Sequence, residues 1–271
     1  MPPESQSFYG PFYQTKGGLV AEVFVKRASE AAKKSRIVIA FDPVFNPYEK
    51  SREERSKERS NVRTQLQNLL TELDGLVSGV KIGLPAIFGL GLDHVEEIID
   101  RHKKSYFFIC DSKMADIGYI NRLVAGQIFE GGFDALIIHA AVGKKEAIDR
   151  VVELAEEKGK GVLGLCAMSH PGASEHLNKH LEELLQIATA AEVDGFVLPA
   201  TYPNLIKRTK TNLPSKLIFS PGIGAQGAPF GSALSAGADF EIIGRSITQA
   251  LSPAKKAREV LKVMKNGARD L

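Results

Sequence analysis

The sequence contains no tryptophan and only two cysteines in 271 residues. Both cysteines, Cys110 and Cys166, lie inside apolar runs, where a free thiol usually packs as a small hydrophobic side chain. This use of cysteine is typical of a protein in a reducing compartment rather than of a secreted protein held by disulfides. We therefore expect a cytoplasmic location.

The chain also lacks an excess of charge of either sign, since 35 basic residues face 32 acidic ones. Proteins that bind nucleic acids or membrane surfaces usually carry a one-sided charge distribution. No apolar run approaches the length of a membrane span, and the N-terminus lacks a basic stretch followed by an apolar one. The sequence thus predicts a soluble protein with a small-molecule ligand, and neither nucleic acid nor membrane as a partner.

Short β-branched runs alternate with amphipathic helical segments along the whole chain, which is 44% hydrophobic. An amphipathic segment at 19–34 precedes the first predicted strand, and the helical segments that follow include 61–77 and 227–237. Eight strand-then-helix units predict an α/β protein with a (β/α)₈ TIM barrel and an extra N-terminal helix, a doubly wound sheet being the alternative. The predicted strands are 36–42, 79–84, 105–111, 134–140, 161–168, 195–200, 216–222 and 239–245.

The domain organisation follows from this repeat. Residues 19–271 are predicted to form a single barrel domain, preceded by an irregular extension at 1–18 to which no function is assigned. A polar insert at 43–60 mixes Glu with Arg and Lys and has no aromatic residues in its charged half. That pattern favours a solvated loop or helix end over a nucleic-acid patch.

Charged residues stand at the ends of the first three predicted strands. Strand one ends in Asp42, strand two carries Lys81, and the third runs into "DSKMAD" with Asp111, Lys113 and Asp116. Residues two apart in a strand share a face, so Asp111 and Lys113 should point inward together, with Asp116 in the following loop. Buried charges are costly unless paired, and barrel active sites lie at the strand C-termini. These five residues are therefore the predicted catalytic set.

Two later strand ends carry polar residues with open roles. His139 ends strand four, and both a core histidine and a catalytic one remain possible. Ser169, in "MSHPGA", is either a hydroxyl at the rim of the site or a turn residue before Pro171. His170 has no second ligand at metal spacing, so no metal site is predicted.

The stretch "SPGIGAQG" contains G-x-G-x-x-G, and Glu241 lies at a plausible distance for a dinucleotide fold. The motif stands in the seventh of eight units, however, and barrel loops after strands seven and eight commonly bind phosphate. "IIGRS" would add a helix N-terminus and the guanidinium of Arg245. We predict a monophosphate site rather than a plain turn with a surface arginine. Its residues would be Pro221, Gly222, Gly224, Gln226, Gly244 and Arg245.

At this point the motifs carry a family resemblance. "DSKMADI" resembles the D-x-K-x-x-D-I signature of orotidine 5′-monophosphate decarboxylases, and "IAFD", "VKIG", "MSHPGA", "SPGIGAQG" and "IIGRSI" fall in the family's order. The similarity covers about residues 36–265, and archaeal members look most similar. D-x-K-x-x-D alone is shared with magnesium-dependent phosphosugar lyases and aldolases, such as hexulose-phosphate synthases. Those relatives typically carry an acidic residue where Lys81 stands.

The resemblance implies decarboxylation of orotidine 5′-monophosphate to uridine 5′-monophosphate, the last step of de novo pyrimidine biosynthesis, without metal or cofactor. A magnesium-dependent lyase or aldolase and a non-catalytic nucleotide-binding barrel remain the alternatives. The family resemblance also implies a homodimer with shared active sites. By the resemblance, Asp42 and Lys81 would hold ribose hydroxyls and belong to the charge array, Asp111 would face the substrate carboxylate, and Lys113 would donate the proton. Asp116 would enter the site from the partner subunit. Ser169 would contact the pyrimidine, and Gln226 and Arg245 would contact the phosphate.

Some positions depart from the family pattern. After "ADI" the family usually has Pro and, two positions on, a Thr that reaches into the neighbouring site, whereas this chain has Gly118 and Ile120. Tyr202 stands where a basic residue is common, and the insert after Asp42 is longer than usual. None of these departures touches the predicted catalytic set, but Ile120 puts in doubt the ribose contact that the family's Thr hydroxyl would make.

Overall fold

The computed structural model describes residues 22–45 and 51–267. In this part of the chain eight parallel strands form a closed barrel in sequence order, with the eighth strand pairing with the first. Because an open sheet would have two unpaired edges, this closure confirms the (β/α)₈ barrel and rules out the doubly wound sheet. The strands are β1 (Ile37–Phe41), β2 (Gly79–Gly83), β3 (Phe107–Met114), β4 (Ala135–His139), β5 (Gly161–Leu165), β6 (Gly195–Val197), β7 (Leu217–Ser220) and β8 (Phe240–Ile243).

The helices surround the barrel, and the first of them is the predicted extra N-terminal helix. Their bounds are α1 (Glu22–Ala32), α2 (Arg52–Glu72), α3 (Leu84–Leu90), α4 (Leu92–His102), α5 (Gly118–Glu130), α6 (Asp149–Lys158), α7 (Leu181–Ala190), α8 (Pro203–Asn212), α9 (Ser232–Ser235), α10 (Arg245–Thr248) and α11 (Pro253–Gly267). The helix predicted at 227–237 is only the single turn α9, because Pro229 and the flanking Gly231 and Gly237 interrupt the helical pattern. No helix within the described ranges combines the length and apolar character needed to cross a membrane.

The charged half of the insert at 43–60 forms the beginning of α2. The side chain of Ser51 accepts a hydrogen bond from the Glu54 N–H, and the Glu54 carboxylate accepts one from the Ser51 N–H. This capping box starts the helix at Arg52, nine residues before the predicted start at residue 61. Residues 46–50 of the insert, the extension at 1–18 and the domain boundary at residue 19 lie outside the described residues.

Aromatic side chains fill the N-terminal end of the barrel. Phe24 of α1 packs against Phe107 edge-on and lies parallel to Phe219, which stacks on Phe240. Gly161 makes room for this plug, since a Cβ there would lie 2.2 Å from the Phe24 ring. The apolar end leaves the opposite end of the barrel for polar side chains.

Three aspartates tie neighbouring strands together at the same N-terminal end. Each stands directly before an even-numbered strand, and its carboxylate accepts a hydrogen bond from a backbone N–H of the preceding strand at 2.7 to 2.8 Å. The backbone N–H of each aspartate donates in return to the carbonyl of the same residue. The pairs are Asp134 with Phe108, Asp194 with Val162 and Asp239 with Ile218.

The first testable consequence concerns Asp194 at this end. Burial raises the pKa of its carboxyl group from 3.8 to about 6, despite the hydrogen bond from the Val162 N–H. A pKa that is higher in the folded state favours folding below about pH 4, and this contribution is lost as the pH rises through 6. Asp194→Asn keeps an acceptor for Val162 and does not ionise. As the pH rises from 4 to 7, the free energy of unfolding of the variant should increase relative to that of wild type by about 1 to 3 kcal/mol.

Urea unfolding of both proteins at pH 4, 5, 6 and 7 measures this difference. A difference between variant and wild type that does not change with pH would contradict the assignment of this titration to Asp194.

Candidate active site

A cluster of ion pairs lies at the C-terminal ends of β1, β2 and β3. Lys81 Nζ is 2.6 Å from Asp111 Oδ2 and 3.2 Å from Asp42 Oδ2. The other oxygen of Asp111 is 2.5 Å from Lys113 Nζ, so that this carboxylate bridges two ammonium groups. The structure thus brings together four of the predicted catalytic residues, all but Asp116.

Lys81 and Asp111 are both buried, so each depends on the opposite charge of its neighbours to stay ionised. The side chains of Lys81 and Asp111 are only 8% and 9% exposed. Burial alone would lower the pKa of Lys81, but the carboxylates of Asp111 and Asp42 together outweigh it and raise that pKa. Burial would likewise raise the pKa of Asp111, and the two ammonium groups hold it below its ordinary value. Each residue is thereby kept charged by its neighbours.

A bulge in β3 places Lys113 beside Asp111. The pairing of β3 with β4 shifts register between Cys110 and Met114, and Lys113 has a φ of 43°. The buried Ser112 donates a hydrogen bond to the Ile137 carbonyl of β4. The two charged residues share one side as predicted, but the strand continues to Met114 instead of ending at 111. A left-handed backbone at a non-glycine residue costs about 1 to 3 kcal/mol, a strain that is common at functional sites.

His139 ends β4 on the same face of the barrel. It is half-buried, and its Nδ1 atom has no hydrogen-bond partner in the described part of the chain. Burial lowers the pKa of this imidazole, and the nearby charge of Lys113 lowers it further. His139 is therefore a neutral side chain in the wall of the site. In residues 22–45 and 51–267 no three His, Cys, Asp or Glu side chains are grouped as a metal site would require.

Asp116 lies in the exposed loop after β3, as predicted. The buried side chain of Asn121 fixes this loop, since it accepts from the Asp116 N–H at 3.2 Å and donates to the Asp116 carbonyl at 2.6 Å. The Asp116 carboxylate accepts only the N–H of Ile117, and it has no ion pair among the residues that the structure describes. One chain therefore does not bring Asp116 into the cluster. Asn121 was missed from the sequence, because an asparagine in an apolar helical segment carries no distinctive motif.

The glycine-rich loop after β7 meets the segment after β8. Gly222, Gly224 and Gly227 have φ values of 97°, 68° and 102°, a region that favours glycine. The loop closes on itself, because the Gly224 N–H donates to the Ala228 carbonyl at 2.8 Å. A Cβ on Gly224 would lie 2.5 Å from the Ser246 Oγ, so the loop passes close to α10 at this glycine. The two loops predicted to hold a phosphate are thus adjacent.

Glu241 decides against the dinucleotide interpretation of this motif. Its side chain is fully buried on the outer side of β8, and its carboxylate accepts the N–H groups of Gly231 and Ala233 at 2.9 Å each. It therefore caps the start of α9 and cannot meet a ribose. Together with the closed barrel, this contact excludes a Rossmann site.

The remaining predicted binding residues surround the same mouth. Ser169 Oγ donates to Gln226 Oε1 at 2.9 Å, which connects the loop after β5 to the glycine-rich loop. Pro221 follows β7 directly, and Gly244 separates β8 from the exposed Arg245 at the start of α10. Because α10 is only one turn long, its dipole contributes little, and Arg245 is the main charge available to an anion.

Two departures from the family pattern also find a place in the structure. A Cβ on Gly118 would lie 2.6 Å from the backbone of Glu146, so the proline usual in the family would collide there. Ile120 lies on the exposed face of α5 beside Tyr119, which is 70% exposed. The usual Thr hydroxyl is therefore replaced by apolar surface.

Comparisons with known proteins agree on one family. The model of the orotidine 5′-phosphate decarboxylase / HUMPS family matches residues 35–260. An orotidine 5′-phosphate decarboxylase from Methanosarcina mazei is 39% identical over 185 residues, which are 68% of this chain and 82% of that protein. The corresponding protein of Pyrococcus abyssi is 37% identical over 190 residues, which are 70% of this chain and 88% of the relative.

Solved structures give the same result. The orotidine 5′-monophosphate decarboxylase of Sulfolobus solfataricus has a TM-score of 0.73 at 27% identity, covering 87% of this chain and 100% of that one. The Methanocaldococcus jannaschii enzyme, complexed with the inhibitor BMP, has a TM-score of 0.72 at 25% identity, covering 84% of this chain and 98% of its own. These matches confirm the resemblance carried by the motifs, and the chain belongs to the orotidine 5′-phosphate decarboxylase / HUMPS family.

Proposed function

We propose that this protein is a carboxy-lyase that converts orotidine 5′-monophosphate to uridine 5′-monophosphate. The observation that carries the proposal is the chain of ion pairs from buried Lys81 and Asp111 to the partly exposed Lys113, with Asp42 on the outer side of Lys81. The relatives bear the name of this activity, and the structure of one of them contains the inhibitor BMP. A cytoplasmic location, and the absence of nucleic-acid and membrane partners, stay predictions.

Lys113 is the proposed proton donor. Loss of CO₂ leaves the electron pair of the broken C–C bond on the pyrimidine ring as a carbanion. The Lys113 side chain is 39% exposed, so its ammonium group can approach a ring above the cluster, stabilise the developing charge and transfer a proton to the carbon. Asp111 holds Nζ in place and sets a negative charge next to the carboxylate that leaves.

Lys81 separates this reaction from the magnesium-dependent alternative. Its ammonium group lies between the carboxylates of Asp42 and Asp111, the position where the relatives with an acidic residue would present a third carboxylate. A buried ammonium at this point repels a divalent cation and already neutralises the carboxylates. We infer that no metal or cofactor takes part.

The phosphate site is assigned to the adjoining loops after β7 and β8. Arg245 supplies the positive charge, Gln226 an amide, and the glycines bring the backbone close to the anion. Ser169, hydrogen-bonded to Gln226, would then lie over the pyrimidine ring between this site and the cluster. Binding at the phosphate orients the ring above Lys113.

The active site is proposed to be shared within a homodimer. Asp116 lies next to a group of exposed apolar side chains on α5 and the preceding loop, and clustered apolar surface is typical of a protein–protein contact. A second copy related by a two-fold axis would cover this face and place each Asp116 at the partner's cluster. The residues of the face are Ile117, Tyr119, Ile120, Leu123 and Val124.

The proposed reaction is tested by incubating the protein with orotidine 5′-monophosphate in excess EDTA and following the loss of orotate absorbance. Wild type should remain active, whereas Lys113→Ala should lose at least about 10³-fold in kcat and still bind uridine 5′-monophosphate. Activity that needs added magnesium would favour the lyase or aldolase. Nucleotide binding without turnover under either condition would favour the non-catalytic barrel, and near-normal turnover by Lys113→Ala would refute its role.

The phosphate assignment predicts a selective loss in Arg245→Ala. A charge-assisted hydrogen bond contributes about 1.5 to 3 kcal/mol, so affinity for uridine 5′-monophosphate should fall about 10- to 100-fold, while affinity for uridine stays nearly constant. Calorimetric titration of both ligands measures this. Arg101→Ala, at the exposed end of α4 on the other side of the barrel, is the matched control. Equal losses for both ligands would make Arg245 structural.

The shared site predicts complementation between two inactive variants. Asp116→Asn and Lys113→Ala chains, refolded together in equal amounts, pair at random, so that half of the dimers are mixed. In a mixed dimer one site has both Lys113 and Asp116 and the other has neither, which restores about a quarter of all sites. If the activity does not exceed the mean of the two variants, although subunit exchange is confirmed by mass spectrometry, Asp116 does not act across the interface.

A further inference from the structure

The loop after β5 is held by one side chain, Asn178. Asn178 Oδ1 accepts from the Met168 N–H at 3.1 Å, and its Nδ2 donates to the Met168 carbonyl at 2.9 Å. Both polar groups of the Met168 backbone are therefore bound by a residue ten positions further along the chain. Met168 packs against the apolar side chains inside the barrel, and the next residue is Ser169.

Asn178 is held in turn by Tyr202. The same Nδ2 group donates to the Tyr202 hydroxyl at 3.1 Å, and Ser174 Oγ lies 3.4 Å from that hydroxyl. Tyr202 directly precedes α8, so it belongs to the loop after β6. The phenol oxygen can accept from an amide, whereas Lys and Arg side chains only donate. Tyr202, at a position where the family often has a basic residue, can therefore accept the hydrogen bond from Asn178 Nδ2, whereas a Lys or Arg side chain could not.

These contacts fix the residue before Ser169, whose side chain donates its one hydrogen bond within the described chain to Gln226. The loop between Met168 and α7 contains only two short 3₁₀ turns, Pro171–Glu175 and Leu177–His180, so little regular structure fixes its start. A loose Met168 peptide would let Ser169 sample positions away from Gln226, and ordering it again on binding costs free energy.

We propose that Asn178, supported by Tyr202, is a positioning residue that sets Ser169 for contact with the pyrimidine and with Gln226. The proposal rests on the decarboxylase function proposed above. Asn178 hydrogen-bonds the Met168 backbone and the Tyr202 hydroxyl and has no bond to the charge cluster, so it would act only through the peptide that joins Met168 to Ser169. Its removal should therefore matter only as long as the Ser169 hydroxyl is present.

A double-mutant cycle tests this dependence with kcat/KM for orotidine 5′-monophosphate. Asn178→Ala should lower kcat/KM about 5- to 30-fold in the wild-type background and less than about 2-fold in a Ser169→Ala background. Asn178→Asp, which keeps the acceptor for the Met168 N–H, should recover part of the loss, and Tyr202→Phe should cause a smaller one. Lys179→Ala, at the neighbouring exposed position, is the matched control and should be unchanged.

Amide hydrogen exchange gives a second readout that needs no turnover. Exchange of a peptide covering residues 166–170 should become faster in Asn178→Ala, while exchange in the barrel strands stays unchanged. An equal loss of kcat/KM in both backgrounds, or no loss, overturns the proposal. If wild type shows no decarboxylation, the proposed function fails, and the role of Asn178 is then judged by hydrogen exchange alone. Protection of residues 166–170 that is the same in Asn178→Ala and wild type overturns the positioning role, and protection that is lost in Asn178→Ala supports it.

Discussion

The pairing of Asp111 with two lysines is the interaction on which the active site depends. A carboxylate this deeply buried is unfavourable by itself, and so is the buried ammonium of Lys81. Each is stable because the other is charged, and Lys113 shares the second carboxylate oxygen. The ends of β2 and β3 are thereby linked electrostatically, and Asp42 at the end of β1 joins them through Lys81. The left-handed backbone at Lys113 is tolerated within that arrangement.

Along the barrel axis, apolar side chains fill the N-terminal end and polar side chains lie at the C-terminal end. Phe24 and the phenylalanines of β3, β7 and β8 close one end, so water is excluded beneath the cluster. The opposite end carries the charges, the glycine-rich loop and the loop held by Asn178. This open end is where we propose that a small anionic ligand binds, with its ring at Lys113 and its phosphate at Arg245.

The barrel and the grouping of charges in its candidate site could be predicted, because strand-helix alternation and the charges at strand ends are local patterns. The bulge at Lys113 could not, since it depends on how β3 pairs with β4. The start of α2 was missed although Ser51 and Glu54 form a recognisable capping pair, because its first turns lack apolar periodicity. Asn178 has no local signature, since its contacts depend on how the chain folds back.

The tight approach of Gly118 to the Glu146 backbone limits which substitutions each of these two positions tolerates. Any side chain at position 118 requires the segment around Glu146 to move first, and that residue itself has a φ of 53°. Substitutions at the two places are therefore epistatic, and their order matters. A proline, or any other side chain, could stand at position 118 only after the loop that follows β4 had been remodelled.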